Sequence, residues 1–167
     1  MALPWYSTSG TVSAPIINNH KHRRPSCHSN HLIDAAKAPS IAYNNKDWEA
    51  VKAAVTPGFL YDEVATQRKT QGVDQVIAAW QGWGTAFPDS KATFHNAYAS
   101  GDTVVLEVTW RGTHKGPLQT ATRQIPATGK PIEIRACQIL EIAGGKAKSM
   151  RHYWDMATML QQIGASA

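Results

Sequence analysis

The sequence predicts an α+β fold in which a strongly curved, mostly antiparallel sheet is covered by N-terminal helices and followed by a C-terminal helix. Three observations lead there. Apolar residues between Asn30 and Phe87 recur mainly at helical spacing. After Pro88 the period switches to two, and four strand-like runs follow. Two short turns, Ser100-Gly101-Asp102 and Gly144-Gly145, join those runs into antiparallel hairpins. Helices first and strands after them are the pattern of an α+β domain.

Each element has a local reason. Leu32, Ile33 and Ala36 start a helix that Pro39 breaks or restarts, and Ile41 to Tyr43 carry it on to the Asn44-Asn45 turn. Asp47 caps a short helix whose Trp48, Val51 and Val55 share a face, and Pro57-Gly58 ends it. Phe59 to Ala65 reads as a short strand. Asp74 caps a third helix with Val76, Ile77, Trp80, Trp83 and Phe87 in one stripe, stopped by Pro88. The strands are Lys91 to Ala99, Thr103 to Arg111, Ile132 to Ile142 and Ala147 to Trp154. The connection from Gly112 to Pro131 is long and rich in Gly, Pro and Thr, as functional loops often are. Met156, Met159, Leu160 and Ile163 then trace a last helix between Asp155 and Gly164.

A chain of 167 residues suits one domain with a self-sufficient core. We place the domain at residues 29–167. Residues 1–28 combine three prolines with polar residues and a basic knot, a composition expected of a disordered tail. Lys and Arg outnumber Asp and Glu by 17 to 12, and the excess is concentrated in the first forty residues, so nothing calls for a nucleic-acid partner. His20, His22, Cys27, His28 and His31 match no structural zinc spacing, so no metal site is expected. Two distant cysteines argue against a disulfide framework, no apolar run approaches the ~18 residues of a membrane span, and no signal-peptide core appears. The expectation is a cytoplasmic protein without a membrane partner. Phosphate-cradling loops, a nucleophile elbow and zinc-helix motifs are all lacking.

Taken together, "AYNNKDWEAV" (42–51), the "FPD" after the third helix, "GD" before a strand, "GTHKGPL", "TGK" and the closing "YWD" resemble the SnoaL-like polyketide cyclase family within the nuclear transport factor 2-like superfamily. The resemblance spans about residues 30–164. It implies a cone-shaped barrel with a deep apolar pocket, and a ring-closing aldol condensation that uses neither metal nor cofactor. It also implies a small hydrophobic carbonyl ligand and a homodimer. Because the superfamily holds isomerases, epoxide hydrolases, dehydratases and plain binding modules, a non-catalytic ligand-binding or dimerisation module of the same fold stands as the alternative.

An aldol closure needs a base, a group to hold the enolate and an acid for the new alkoxide. An Asp serves only if desolvation lifts it above its usual pKa of ~3.9. The family's catalytic Asp belongs to the closing motif, which makes Asp155 the acid/base candidate. The same residue has the pattern of a helix N-cap, whose backbone hydrogen bonds oppose base strength. Strand parity puts Ser149, Arg151, Tyr153 and Asp155 on one face and Met150, His152 and Trp154 on the other, so only one set meets the cavity. With Asp155 inward, Tyr153 stands beside it, and His95 and Arg135 are candidates for polarising a carbonyl or holding an enolate. Arg135 has an alternative fate, pairing with Glu107 or Glu133 across the sheet. Tyr61, Trp80, Trp83, Trp110, His114 and Cys137 are the candidate substrate-binding residues. In "YDEV", Asp62 or Glu63 could add a second carboxylate, unless both lie on a solvated edge.

Overall fold

The computed structural model describes residues 27–165. Helices α1 (Cys27–Asn44) and α2 (Trp48–Ala54) lead into strand β1 (Val55–Glu63), a 3-10 turn (Val64–Thr66) and strand β2 (Arg68–Gln71). Helix α3 (Val73–Ala86) precedes β3 (Lys91–Ser100), β4 (Thr103–Thr113), the two-residue strands β5 (Leu118–Gln119) and β6 (Gln124–Ile125), β7 (Pro131–Ala143), β8 (Lys146–Trp154) and α4 (Met156–Ile163). The tail expected over residues 1–28 lies outside the described residues, save that α1 begins at Cys27.

Six strands form one open sheet in the order β2-β1-β8-β7-β4-β3, and β5 with β6 makes a small separate ribbon. All neighbours are antiparallel except β1 and β8, which run parallel. That one parallel contact joins an early strand to the last, setting Tyr61 beside Met150 and Glu63 beside His152. Helices α1 and α3 close over the inward face, where Tyr43, Phe59, Trp80, Leu106, Leu140 and Met150 share the main core. A second core gathers Phe87, Ile134, Met159, Leu160 and Ile163, with Trp83 packed against both. Burying the three apolar side chains of α4 is worth about 1.5–3 kcal/mol each, which fastens that helix to β7.

Several boundaries differ from expectation. Pro39 neither breaks nor restarts α1, because Ala36, Pro39, Ser40, Ala42 and Tyr43 are buried there and packing outweighs one missing backbone bond. Pro57-Gly58 does not end α2. Both residues lie within β1 where its register with β8 slips between Val55 and Leu60, a place that asks no ladder hydrogen bond of a proline. Gly72, at φ +91°, occupies the N-cap of α3 and Asp74 falls in its first turn. Strand β2, with the sequence RKTQ, has no apolar alternation to announce it, as suits a charged sheet edge. Among the described residues, no helix is long and apolar enough to cross a membrane.

Candidate functional site

Between α1, α3 and the inward sheet face lies a cavity of about 50 Å³. Tyr43, Trp80, Trp83, Trp110 and Trp154 give it aromatic walls, and Tyr61, Glu63, Arg68, Ser40, Gln138 and His152 supply its polar groups. The free space is smaller than the roughly 150 Å³ hollow that admits a benzene ring, so a ring-bearing ligand must turn wall side chains aside.

Alternation along β8 directs Met150 and His152 inward. Alternation along β1 does the same for Phe59, Tyr61 and Glu63. After Glu63 the chain reverses through the 3-10 turn, with Gln67 left-handed at φ +56°, and brings Arg68 directly opposite Glu63. The reversal folds a cation and a hydroxyl back over the buried carboxylate. Arg68 Nη2 donates to Glu63 Oε2 at 2.8 Å, and Thr66 Oγ1 donates to the same oxygen at 2.6 Å.

These groups form one continuous chain of hydrogen bonds. An indole nitrogen is only a donor, so Trp110 Nε1–H donates to His152 Nε2 at 3.2 Å and that nitrogen keeps its lone pair. The proton of the neutral imidazole therefore sits on Nδ1 and is donated to Tyr61 Oη at 2.9 Å. The phenol in turn donates to Glu63 Oε1 at 3.3 Å. Burial lowers the His152 pKa to about 4, so the ring is neutral at pH 7. Burial, reinforced by the negative charge of Glu63, holds the Tyr61 phenol well above its ordinary range and keeps it a hydroxyl donor. The arrangement offers a neutral base facing an apolar cavity, backed through a phenol by a buried carboxylate.

Of the residues expected here, Tyr61, Trp80, Trp83 and Trp110 line the cavity. The candidates chosen for catalysis do not. Asp155 is exposed, caps α4 and accepts from Thr158 N at 3.1 Å and Thr158 Oγ1 at 2.5 Å. Those bonds, the side-chain one first, draw its pKa below the ordinary value, opposite to what a base needs. Tyr153 is 40% exposed, and Arg135 stands exposed on the outer sheet face. Neither Glu107 nor Glu133 takes Arg135 as partner: Glu133 pairs with Arg111 and Glu107 accepts from Asn96. His95 is exposed, donating to or accepting from Thr109 Oγ1 at 2.8 Å where the β3–β4 register slips. Cys137 is half-buried opposite Tyr153 and Glu107, its thiol pushed up by burial, and does not line the cavity. His114 is fully buried, but against Phe87 in the second core rather than at a pocket mouth. The "YDEV" pair splits: Asp62 meets Lys69 on the outer side and Glu63 faces in. Residue pattern alone had not marked His152, Arg68, Gln138 or Ser40. The signal available for His152 and Gln138 was their parity with Trp154 and Leu140 on inward-facing positions.

A bent open sheet with helices over its inner face defines the class: an α+β protein with a ketosteroid isomerase-like fold. Residues 33–163 match the SnoaL-like polyketide cyclase family model, and the chain belongs to that family. Among solved structures, a protein named as a SnoaL-like polyketide cyclase from Jannaschia sp. CCS1 is 19% identical with a TM-score of 0.76, covering 87% of this chain and 99% of its own. IdmH from Streptomyces antibioticus, named as a polyketide cyclase, is 23% identical with a TM-score of 0.68, covering 80% of this chain and 99% of its own. An LEH-like epoxide hydrolase from M. tuberculosis is 19% identical with a TM-score of 0.62, covering 80% of this chain and 90% of its own. At these identities the likeness is one of fold. A search of curated proteins finds no match.

Proposed function

We propose that this chain is a cyclase- or isomerase-type enzyme that moves a proton on a small hydrophobic carbonyl compound, with His152 as the acid/base. The observation carrying this reading is the buried neutral imidazole, whose Nε2 lone pair is the one side-chain base at the cavity, among the described residues, not already tied to a cation. Substrate displaces the 3.2 Å Trp110 bond and presents a C–H bond beside its carbonyl to Nε2. As the ring gains that proton, Nδ1–H to Tyr61 and Tyr61 to Glu63 provide a path by which the carboxylate stabilises the imidazolium. Burial makes the imidazolium a strong acid, so it returns the proton readily, to a new alkoxide in a cyclisation or to a second carbon in an isomerisation. So weak a base suits a C–H bond flanked by two carbonyls rather than one. The aromatic walls suit a flat, apolar body.

The test is keto–enol interconversion of an aryl 1,3-diketone, followed in the ultraviolet. Wild type is expected to accelerate it, His152→Gln to lose the acceleration by about 10²-fold or more, and Asp155→Ala to keep it. Loss in Asp155→Ala with retention in His152→Gln overturns the assignment. The same reading places a second copy of the chain against the outer sheet face, where Tyr98 and Tyr153 stand exposed. A single-chain mass in light scattering removes that part.

A further inference from the structure

Two polar groups of the cavity, Gln138 and Ser40, stand outside the chain from Trp110 to Arg68. Gln138, only 1% exposed, lies on β7 directly opposite His152 on β8. Its amide makes one hydrogen bond: Ser40 Oγ–H, from α1, donates to Oε1 at 3.1 Å. The amide nitrogen has no acceptor among the described residues, and Gln138 and His152 both line the cavity. A leucine here would continue the inward row of Leu106 and Leu140, whereas a glutamine puts an amide donor at the cavity wall. The Ser40 bond accounts for the amide oxygen and leaves the amide nitrogen without a structural role.

We propose that the Gln138 amide nitrogen is the donor for the substrate's carbonyl oxygen, and that Ser40 is a positioning residue that holds the amide by its oxygen so that both N–H bonds face the ligand. This deepens, and rests on, the acid/base reading above. When His152 Nε2 takes the proton, the C–H electron pair becomes the new C=C bond and the carbonyl π pair moves to oxygen. The enolate oxygen then bears the negative charge, and the Gln138 N–H bonds shorten onto it. The proton returns from His152 at the end, so nothing is consumed. The substrate class follows from the charges. Arg68, the one cation lining the cavity among the described residues, is already paired with Glu63, so the ligand group at Gln138 is a neutral acceptor such as a ketone or ester, rather than a carboxylate. A protonated amine, which presents only donors, leaves the amide unpaired and is rejected.

The experiment uses the diketone assay with Gln138→Met, which keeps size and loses both donors, and Gln138→Glu, which keeps shape and exchanges donor for acceptor. Denaturation curves accompany each variant. Both are expected to lower kcat by about 10²-fold while KM moves only a few-fold. Ser40→Ala is expected to lower kcat about tenfold in the Gln138 protein and to change nothing further in Gln138→Met, because its effect runs through the amide. A Ser40 effect of equal size on both backgrounds shows a purely structural hydroxyl and overturns its role. Wild-type kcat in Gln138→Met or Gln138→Glu, with His152→Gln inactive, overturns the Gln138 assignment and leaves the acid/base reading standing. If wild type and His152→Gln both fail to accelerate the reaction, that reading falls and takes this one with it.

Discussion

His152 should leave a measurable mark on acid stability. In the unfolded chain its imidazole titrates near ~6.5, whereas in the folded protein burial lowers that to about 4. Between those values the unfolded state binds a proton that the folded state refuses. Stability attributable to the neutral ring is therefore fully present above the unfolded pKa and is lost as pH falls through the window. The gap of about 2.5 units corresponds to ~3 kcal/mol in full, of which ~2 kcal/mol is lost between pH 7 and about pH 4.5. The assay is urea unfolding of wild type and His152→Gln at those two pH values. Comparing the drop in the two proteins removes the contributions of the other acidic and basic groups. Wild type should lose ~2 kcal/mol more than the variant on acidification. Equal losses would refute the reasoning, showing that the Tyr61 and Glu63 relay sustains an imidazolium in the resting protein and that burial does not dominate.

Three further outcomes follow from other contacts. Asp155→Ala should cost about 1 kcal/mol of unfolding free energy, the usual worth of an N-cap, while diketone turnover stays within a factor of two; chemical denaturation and the ultraviolet assay check both. Nitrogen-15 NMR of the His152 ring at pH 7 should show a protonated Nδ1 and an unprotonated Nε2, and Trp110→Phe should shift the Nε2 resonance by removing its donor. Gly116→Ala should destabilise the protein by about 1–3 kcal/mol in thermal melts, because an added Cβ would collide with the Thr85 carbonyl oxygen.

Much of the architecture could be read from residue pattern, because period and turn chemistry are local properties. The hairpin turns at Gly101 and at Gly144-Gly145 both have positive φ in the structure, and the four long strands differ from expectation by one or two residues at most ends. The Asp47 cap is also as read, its side chain accepting from Ala50 N. The site was less legible. Parity correctly separated His152 from Asp155 but had no means of saying which set turned inward, since both hold aromatic residues. The capping pattern at Asp155 was the better guide than the family's closing motif. Glu63 was hidden because a carboxylate next to Asp62 looks solvated, and only the tight reversal to Arg68 makes its burial tolerable. Gln138 carried no local signal, because its meaning comes from Ser40, 98 residues away in sequence.

The parallel contact between β1 and β8 also sets a timetable. Tyr61 leaves the ribosome 91 positions before His152, so a nascent chain cannot close the Tyr61–His152 hydrogen bond until β8 has been made. A message cut short before that strand yields protein with every helix of the first half and an indole-lined wall, yet without the imidazole on which the proposed chemistry turns.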